Sequence, residues 1–434
     1  MTGVAPFIAE AERVGEAHRL RDPAWVSDTR DAALERFRQL GLPTPHDEEW
    51  RFTSVAPIAD ARFALARDGE AAPQAGDVEP FTWGGDLGAL LVFVNGRCVA
   101  ASSSPSGARV LSLRRALADG ILEVATHLTR VANGTRHPFT ALNTSFLDDG
   151  AFVHVPDNTV VGAPIHLLFL SVGAGARTMS HPRILVVLGT NAQATIVESY
   201  GAVRAERYFT NTVTEVAAAA NATLSHYKLQ REHPDSFHVG AMYLRAARDA
   251  ALTCHSISFG GSIVRNDVMA VLDGEGANCT LNGLYLGDGT RVVDNHTTID
   301  HARPHCDSRE VYKGILAGKA RAVFNGKIIV RPDAQKTDAK QTNKALLLSE
   351  DAQINTKPQL EIFANDVKCT HGAAVGQMDD DAIFYLRARG LGLEAARHML
   401  VRAFAGDVIN QMGLEPLRSR VDEELGRRLA GLGA

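Results

Sequence analysis

From about residue 90 to residue 376 the chain shows almost no helical periodicity, and few architectures tolerate so long a stretch without it. Short β-type runs take its place: LLVFVNG, HLLFLSV, RILVVLG, ATIVESY and KIIVRP, separated by Gly, Asn and Asp. Weak self-similarity runs through them. Ala194-Thr195-Ile196-Val197, Ala222-Thr223-Leu224-Ser225, Ala251-Leu252-Thr253-Cys254 and Cys279-Thr280-Leu281-Asn282 begin similar strands about 27 to 29 residues apart, inside the range of roughly 20–50 that marks solenoids. A repeat of that size cannot bury its apolar side alone and must stack on its neighbours. A pair of β-sandwiches is the other architecture this pattern allows, and the repeat favours a β-helix.

The flanks differ in texture, as expected for 434 residues when one core seldom grows past roughly 250–300. SDTRDAALERFRQL predicts a helix capped by Ser27 or Asp28, with Ala33, Leu34, Phe37 and Leu40 at helical spacing and Gly41 and Pro43 ending it. Residues 66–80 lack periodicity and read as a linker. After residue 378, MDDDAIFYLRARG sets aspartates at a helix start and Gly390 at its end. GLEAARHMLVRAFAGDVINQM predicts a longer helix with Ala396, Leu400, Ala403 and Phe404 on one side, flanked by Met399 and Ile409. The last helix carries a Leu417, Val421, Leu425 and Leu429 stripe, read as docking on its own domain, with a partner-binding face as the competing reading. The expected division is an N-terminal helical domain with linker (1–90), a β core (91–376) and a C-terminal helical domain (377–434).

Composition excludes several functions. Lys plus Arg number 45 against 50 Asp plus Glu, a net charge of −5 without a basic stripe, which argues against a nucleic-acid binder. The longest apolar run, VVGAPIHLLFLSV, is interrupted by Pro164 and His166 and is too short to span a membrane. Glu10, Glu12 and Glu16 make the start unlike a secretory signal, so a cytoplasmic location is expected. The motifs G-x-x-x-x-G-K-[ST], G-x-G-x-x-G after a strand, H-E-x-x-H and G-x-S-x-G are all absent, removing a nucleotide-hydrolysing loop, a Rossmann site and the common hydrolase constellations. The five cysteines, Cys98, Cys254, Cys279, Cys306 and Cys369, form no C-x-x-C pair and argue against a disulfide framework.

Two segments carry candidate chemistry. In ANDVKCTHGAAVG (364–376), a strand would point Cys369 and His371 to one face, a thiol and an imidazole suited to iron or another transition metal. Two donors do not complete a site, so further ligands would come from elsewhere, including another chain. In TTIDHARPHCDSREVYKG, His301, His305 and Cys306 lie close in sequence, but Pro304 breaks any helix that would align the two imidazoles. The segment reads as a coil corner. The Lys- and Arg-bearing stretch from Lys313 to Ser349 includes Asp333 and Asp338 and opens no Gly-rich helix start, so it reads as a solvated solenoid face.

The run YKGILAGKARAVFNGKIIVRPDAQKTDAKQTNKALLLSEDAQINTKPQLEIFANDVKCTHGAAVGQMDDDAIFYLRARG, with GLPTPHDEEWRFT and LVFVNG upstream, resembles the SufB/SufD family of iron–sulfur cluster assembly proteins. DVKCTHGAAVG and AQKTDAKQTNKALLL place the likeness on its SufD side. The resemblance implies a mainly β chain, a right-handed parallel β-helix core flanked by N-terminal and C-terminal α-helical domains. It implies a non-enzymatic scaffold that pairs with SufB through the end of the β-helix and docks the ATPase SufC through its C-terminal helices. Leu400, Phe404 and Ile409 are the docking candidates there. It further implies that His371, with its neighbour Cys369, serves a transient iron–sulfur cluster at the SufB interface, His371 being the metal ligand completed by the partner. A reduced flavin belongs to the assembled complex in this family, with no site assignable here and no tightly bound group expected in the isolated chain; the exposed β-helix end allows self-pairing, and the sequence leaves homodimer and monomer both open for the isolated chain. Cys254 receives no role. The rival readings are a carbohydrate-active β-helix enzyme and a stand-alone metal enzyme built on His301, His305 and Cys306.

Overall fold

The computed structural model describes residues 3–66, 73–132, 137–173, 177–204 and 207–432. From Arg183 to Gln377, consecutive strands alternate between two sheets, so each coil of the chain adds one strand to each. The first sheet runs Gly150–Val155, Arg183–Leu188, Phe209–Ala218, Phe237–Ala246, Ile263–Leu272, Val292–His301, Arg321–Val330 and Gln353–Ile362. The second runs Ala89–Val94, Ile165–Ser171, Gln193–Ala202, Thr223–Arg231, Ala251–Ser258, Asn278–Gly287, Asp307–Leu316, Asp338–Leu347 and Lys368–Gln377. All these neighbours pair in parallel. Only the starting edges are antiparallel, where Arg97–Ala101 pairs with Ala89–Val94 and Arg109–Ser112 with Gly150–Val155. The molecule is a parallel β-helix, as the repeat predicts.

One corner sets the register. Asn158, Asn191, Asn221, Asp249, Gly276, His305 and Lys336 stack there, each with φ between +57° and +74°. The N–H of each donates to a corner carbonyl of the next coil: to Thr190, Ala220, Arg248, Glu275, Pro304, Gln335 and Asp366, at 2.7–3.2 Å. Asn tolerates this left-handed backbone better than most residues, and its amide adds a ladder: Asn191 donates to Asn158 at 2.7 Å and Asn221 to Asn191 at 3.0 Å. The residue after the corner is small and fully buried: Ala192, Ala222, Ala250, Ala277 and Cys306. The equivalent positions are therefore 192, 222, 250 and 277, so the alignment of 194, 222, 251 and 279 read from sequence detects the right coils but slips by one or two residues. Matching similar tetrapeptides ignores the corner, which is what holds the coils in step.

Side chains alternate between the lumen and the outer faces. One lumen column stacks Ala194, Leu224, Leu252, Cys279, Ser308, Ala339 and Cys369; the next stacks Ile196, His226, Cys254, Leu281, Glu310, Gln341 and His371. The lumen is polar in places. Glu198 accepts from the Tyr200 hydroxyl (2.6 Å), the Thr214 hydroxyl (2.9 Å) and His226 Nε2 (3.1 Å). Further along, Glu310 is fully buried and accepts from Gln341 Nε2 at 2.7 Å. Burial drives its carboxyl up to about 7, against the opposing pull of Thr297 and Gln341 beside it.

The N-terminal helices, Ala5–His18 and Ala24–Leu40, pack Phe7, Leu34 and Phe37 against Phe139 and the stacked strand starts Met179, Phe209, Phe237 and Ile263. The second helix begins at Ala24 after Pro23, ahead of the expected Ser27 or Asp28 cap, and ends at Gly41 (φ +68°) as read. The tryptophan motif that follows is a clamp. Trp50 lies 4.3 Å from the Arg265 guanidinium, Glu49 accepts from His296 Nδ1 at 3.1 Å, and the Thr53 hydroxyl donates to Asp294 at 2.5 Å. Of the expected linker, residues 67–72 lie outside the described residues, while Ala75–Val78 forms one short helical turn. Helices also interrupt the 91–376 core: Leu113–Ala118, Leu122–His127 and Pro138–Ser145. They are too short for a 3.6-residue period to register in sequence.

The C-terminal helices are Asp380–Arg387, Leu393–Ile409 and Glu415–Gly431. The first is capped by Asp379, whose Oδ1 accepts from the N–H of Asp381 and Ala382. The last two lie on the outer face of the second sheet, where Leu417, Val421, Leu425 and Leu429 meet Leu229, Ile257, Phe259 and Leu284 in one apolar cluster. The leucine stripe docks on its own chain.

Two outcomes test this construction. Asn191→Ala should lower unfolding stability by about 1–2 kcal/mol in urea titration, and Asn191→Gly by less, because glycine adopts the positive φ without strain. Glu310→Gln should change the pH profile. The folded Glu310 binds its proton more tightly than an ordinary Glu at 4.5, so its stabilising share is complete below 4.5 and is lost as pH rises through 7. The variant should therefore match the wild type near pH 4 and exceed it at pH 8 by on the order of 3 kcal/mol in denaturant titrations.

Candidate functional site

The two ends of the β-helix are unequal. At the start, antiparallel strands and helices cover the sheets. At the far end, Gln353–Ile362 pairs only with Arg321–Val330, and Lys368–Gln377 only with Asp338–Leu347. Both leave an unpaired strand edge. Large apolar side chains stand exposed on this last coil and the helix that follows it: Phe363 (63 %), Val375 (48 %), Phe384 (74 %) and Tyr385 (55 %).

Cys369 and His371 lie on the terminal strand of this open end. Their ladder partners are Ala339 and Gln341, both buried on the lumen side, so the two residues share the inward face and stand at the lumen mouth. Cys369 is half-buried against Ile328, Val330, Ala334 and Ala339, and burial pushes its thiol up from the ordinary value. His371 is exposed. Behind them the column continues inward through Gln341 and Glu310. Among the described residues, no group of three or more His, Cys, Asp or Glu side chains is arranged to hold a metal ion. The mouth offers an imidazole and a thiol, a donor set suited to a soft or borderline metal and too small to hold it alone.

The other candidates separate. His301 is fully buried and its Nε2 lies 2.9 Å from the Ser308 hydroxyl, with burial pushing the imidazole down to about 4. His305 is the exposed left-handed corner residue, and Cys306 fills the small buried site after it, its Sγ 3.2 Å from the Gly274 carbonyl. His305 and Cys306 thus fill the corner roles their positions require, and the three residues form no metal-holding group. Cys254 sits inside the lumen with burial pushing its thiol up to about 12, far from the depressed value of a reactive thiolate. In the Lys313–Ser349 stretch, Lys313 is nearly buried, contradicting a wholly solvated face: its Nζ donates to the Phe404 carbonyl at 2.8 Å and pairs with Asp407.

Of the expected docking residues, Leu400 and Phe404 keep partial exposure, with the Lys313 ammonium 4.4 Å from the Phe404 ring. Ile409 is a correction: it is 4 % exposed and packs in the cluster that joins helix to sheet. The buried face of Leu393–Ile409 is Ala396, Val401, Ala405, Val408 and Ile409, rotated from the side centred on Leu400 and Phe404. A helix apolar around most of its circumference does not declare which side faces the core.

Sequence reading passed over Glu310 and Gln341. The period-2 alternation places both inward, and aligning residues 281, 310, 341 and 371 in one column would have found them. That alignment depends on the corner register.

No helix among the described residues is long and apolar enough to cross a membrane. The family model for the SufBD core domain of SUF-system FeS cluster assembly matches residues 169–404, and that for the SufBD protein N-terminal region matches residues 16–167. An iron–sulfur cluster assembly SufBD family protein of Synechocystis is 35 % identical, covering 94 % of this chain and 93 % of its own. The iron–sulfur cluster assembly protein SufD of Escherichia coli is 34 % identical over 92 % of each, and that of Bacillus subtilis 24 % identical over 94 % and 95 %. With the β-helix, its flanking helices and matches spanning nearly its whole length, this chain belongs to the SufBD family of iron–sulfur cluster assembly proteins.

Proposed function

We propose that this chain is a non-catalytic scaffold subunit that meets SufB at the open end of its β-helix and contributes His371 to the nascent iron–sulfur cluster. The observation that carries the reading is an incomplete donor set at an unfinished edge. Cys369 and His371 share the inward face of a terminal strand, its hydrogen-bonding edge is unpaired, and exposed apolar side chains surround it. A partner covering this end would pair the edges, bury the apolar side chains and supply the missing ligands. The cluster is cargo, built there and passed on. The same end would serve self-pairing when SufB is absent.

The ATPase SufC docks, in this reading, on the helix Leu393–Ile409. Its outer side offers Leu393 and Met399, exposed at 38 % and 48 %, beside the half-buried Leu400 and Phe404. Assembly proceeds in the cytoplasm, and no residue of this chain is assigned to a flavin. Family membership supports the scaffold over a carbohydrate-active enzyme, and the burial of His301 and Cys306 beside an exposed His305 supports it over a stand-alone metal enzyme.

The test is co-purification with SufB and SufC, then anaerobic reconstitution with iron and sulfide. His371→Ala should assemble as the wild type does, with unfolding stability within about 0.5 kcal/mol because the side chain is exposed. Its cluster loading should fall about tenfold or more, the scale set by disturbing a metal's surroundings. Loading equal to wild type would reduce His371 to a surface residue and the subunit to a docking frame.

A further inference from the structure

The residue beneath His371 has an unspent hydrogen-bonding atom. Gln341 is 2 % exposed. Its Nε2 donates to Glu310 Oε2 at 2.7 Å, which turns the other end of the amide away from Glu310. That end, Oε1, is buried and has no hydrogen-bond partner among the described residues. An orphaned buried acceptor is costly to keep, on the order of 1–3 kcal/mol, and calls for an explanation. The next side chain in its column is His371, one rung nearer the mouth.

The opposite sheet shapes the same spot. A Cβ at Gly326 would lie 2.1 Å from Gln341 Nε2 and 2.7 Å from its Cδ. Glycine there leaves room for the amide, so three coils cooperate in placing one side chain: Glu310 holds it, Gly326 admits it, and the ladder stacks it under His371.

We propose that Gln341, oriented by Glu310 and accommodated by Gly326, is the positioning residue of His371. Its Oε1, which the exposed His371 ring leaves without a partner in this structure, accepts the N–H of one ring nitrogen when that ring turns in over the mouth. That fixes a single tautomer and leaves the lone pair of the other nitrogen free to meet a metal at the mouth, since the hydrogen bond one ring nitrogen makes decides what the other can bind. Nothing is transferred covalently, and Gln341 touches neither metal nor sulfur. The inference deepens the reading of His371 as the working group and rests on it.

The experiment uses the full chain with ¹⁵N-labelled histidine at pH 8, without iron. Long-range ¹H–¹⁵N spectra report the tautomer of each imidazole, and the His371 signals are those missing from His371→Ala. In the wild type they should show one tautomer. Gln341→Met, similar in volume, removes the acceptor; Gly326→Ala keeps Gln341 but displaces its amide. Both should shift the His371 nitrogens to the averaged values of an unrestrained imidazole, while the other histidines keep theirs and so report an intact fold. Averaged shifts already present in the wild type, or wild-type shifts retained in either folded variant, would overturn the proposal. Because the readout contains no cluster, it succeeds or fails independently of cluster loading in His371→Ala.

Discussion

A parallel β-helix has no hairpins to pin its strands, so every coil depends on being held in step with the one below. Here that task falls to the corner of left-handed residues from Asn158 to Lys336, whose N–H groups each reach a carbonyl of the next coil. Side-chain direction has a period of two, and a slip of one residue would turn each lumen column outward. The small buried residue after the corners from Asn191 to His305 lets the chain bend tightly. Cys306 and His305 follow from the same rule: one fills the small site and the other bends the corner. Their nearness in sequence is a consequence of coil geometry.

With register secured, the lumen becomes a set of straight columns. Most rungs carry aliphatic or small residues, but the column ending at His371 holds Glu310 and Gln341 in its last buried rungs. A buried carboxyl is expensive unless it is hydrogen-bonded or neutral, and Glu310 takes both routes: it accepts from Gln341 and binds its proton more tightly than usual. The column thus runs from a buried carboxyl, through a single amide, to the rung of an exposed imidazole. At the other end of the β-helix, helices and antiparallel strands close the sheets. This asymmetry leaves one end of the solenoid chemically available.

The sequence was legible where a physical rule acts locally. The absence of helical periodicity, the β runs and the repeat length led to a solenoid; Gly41, Asp379 and the leucine stripe from Leu417 to Leu429 marked helix ends and a packed face. Period-two alternation put Cys369 and His371 on one face of a strand, as the ladder has them. Reading failed where long-range packing decided. The short helices between residues 113 and 145 have too few turns to show a period, and the buried side of Leu393–Ile409 could not be chosen from a helix apolar on several sides. Ile409 was misjudged for that reason.

By itself, then, the sequence determined the architecture, the presence of a thiol and an imidazole on alternate positions of one strand, and the lack of any complete catalytic motif. These depend on local backbone preference, on period, and on residue identity. Only the tertiary structure decided that this strand is the last one, with an unpaired edge, and that Gln341 and Glu310 lie beneath His371. Residues 30 and more apart become neighbours through corner hydrogen bonds that set the coil length anew at each turn, and a coil length that varies from turn to turn cannot be summed from local preferences.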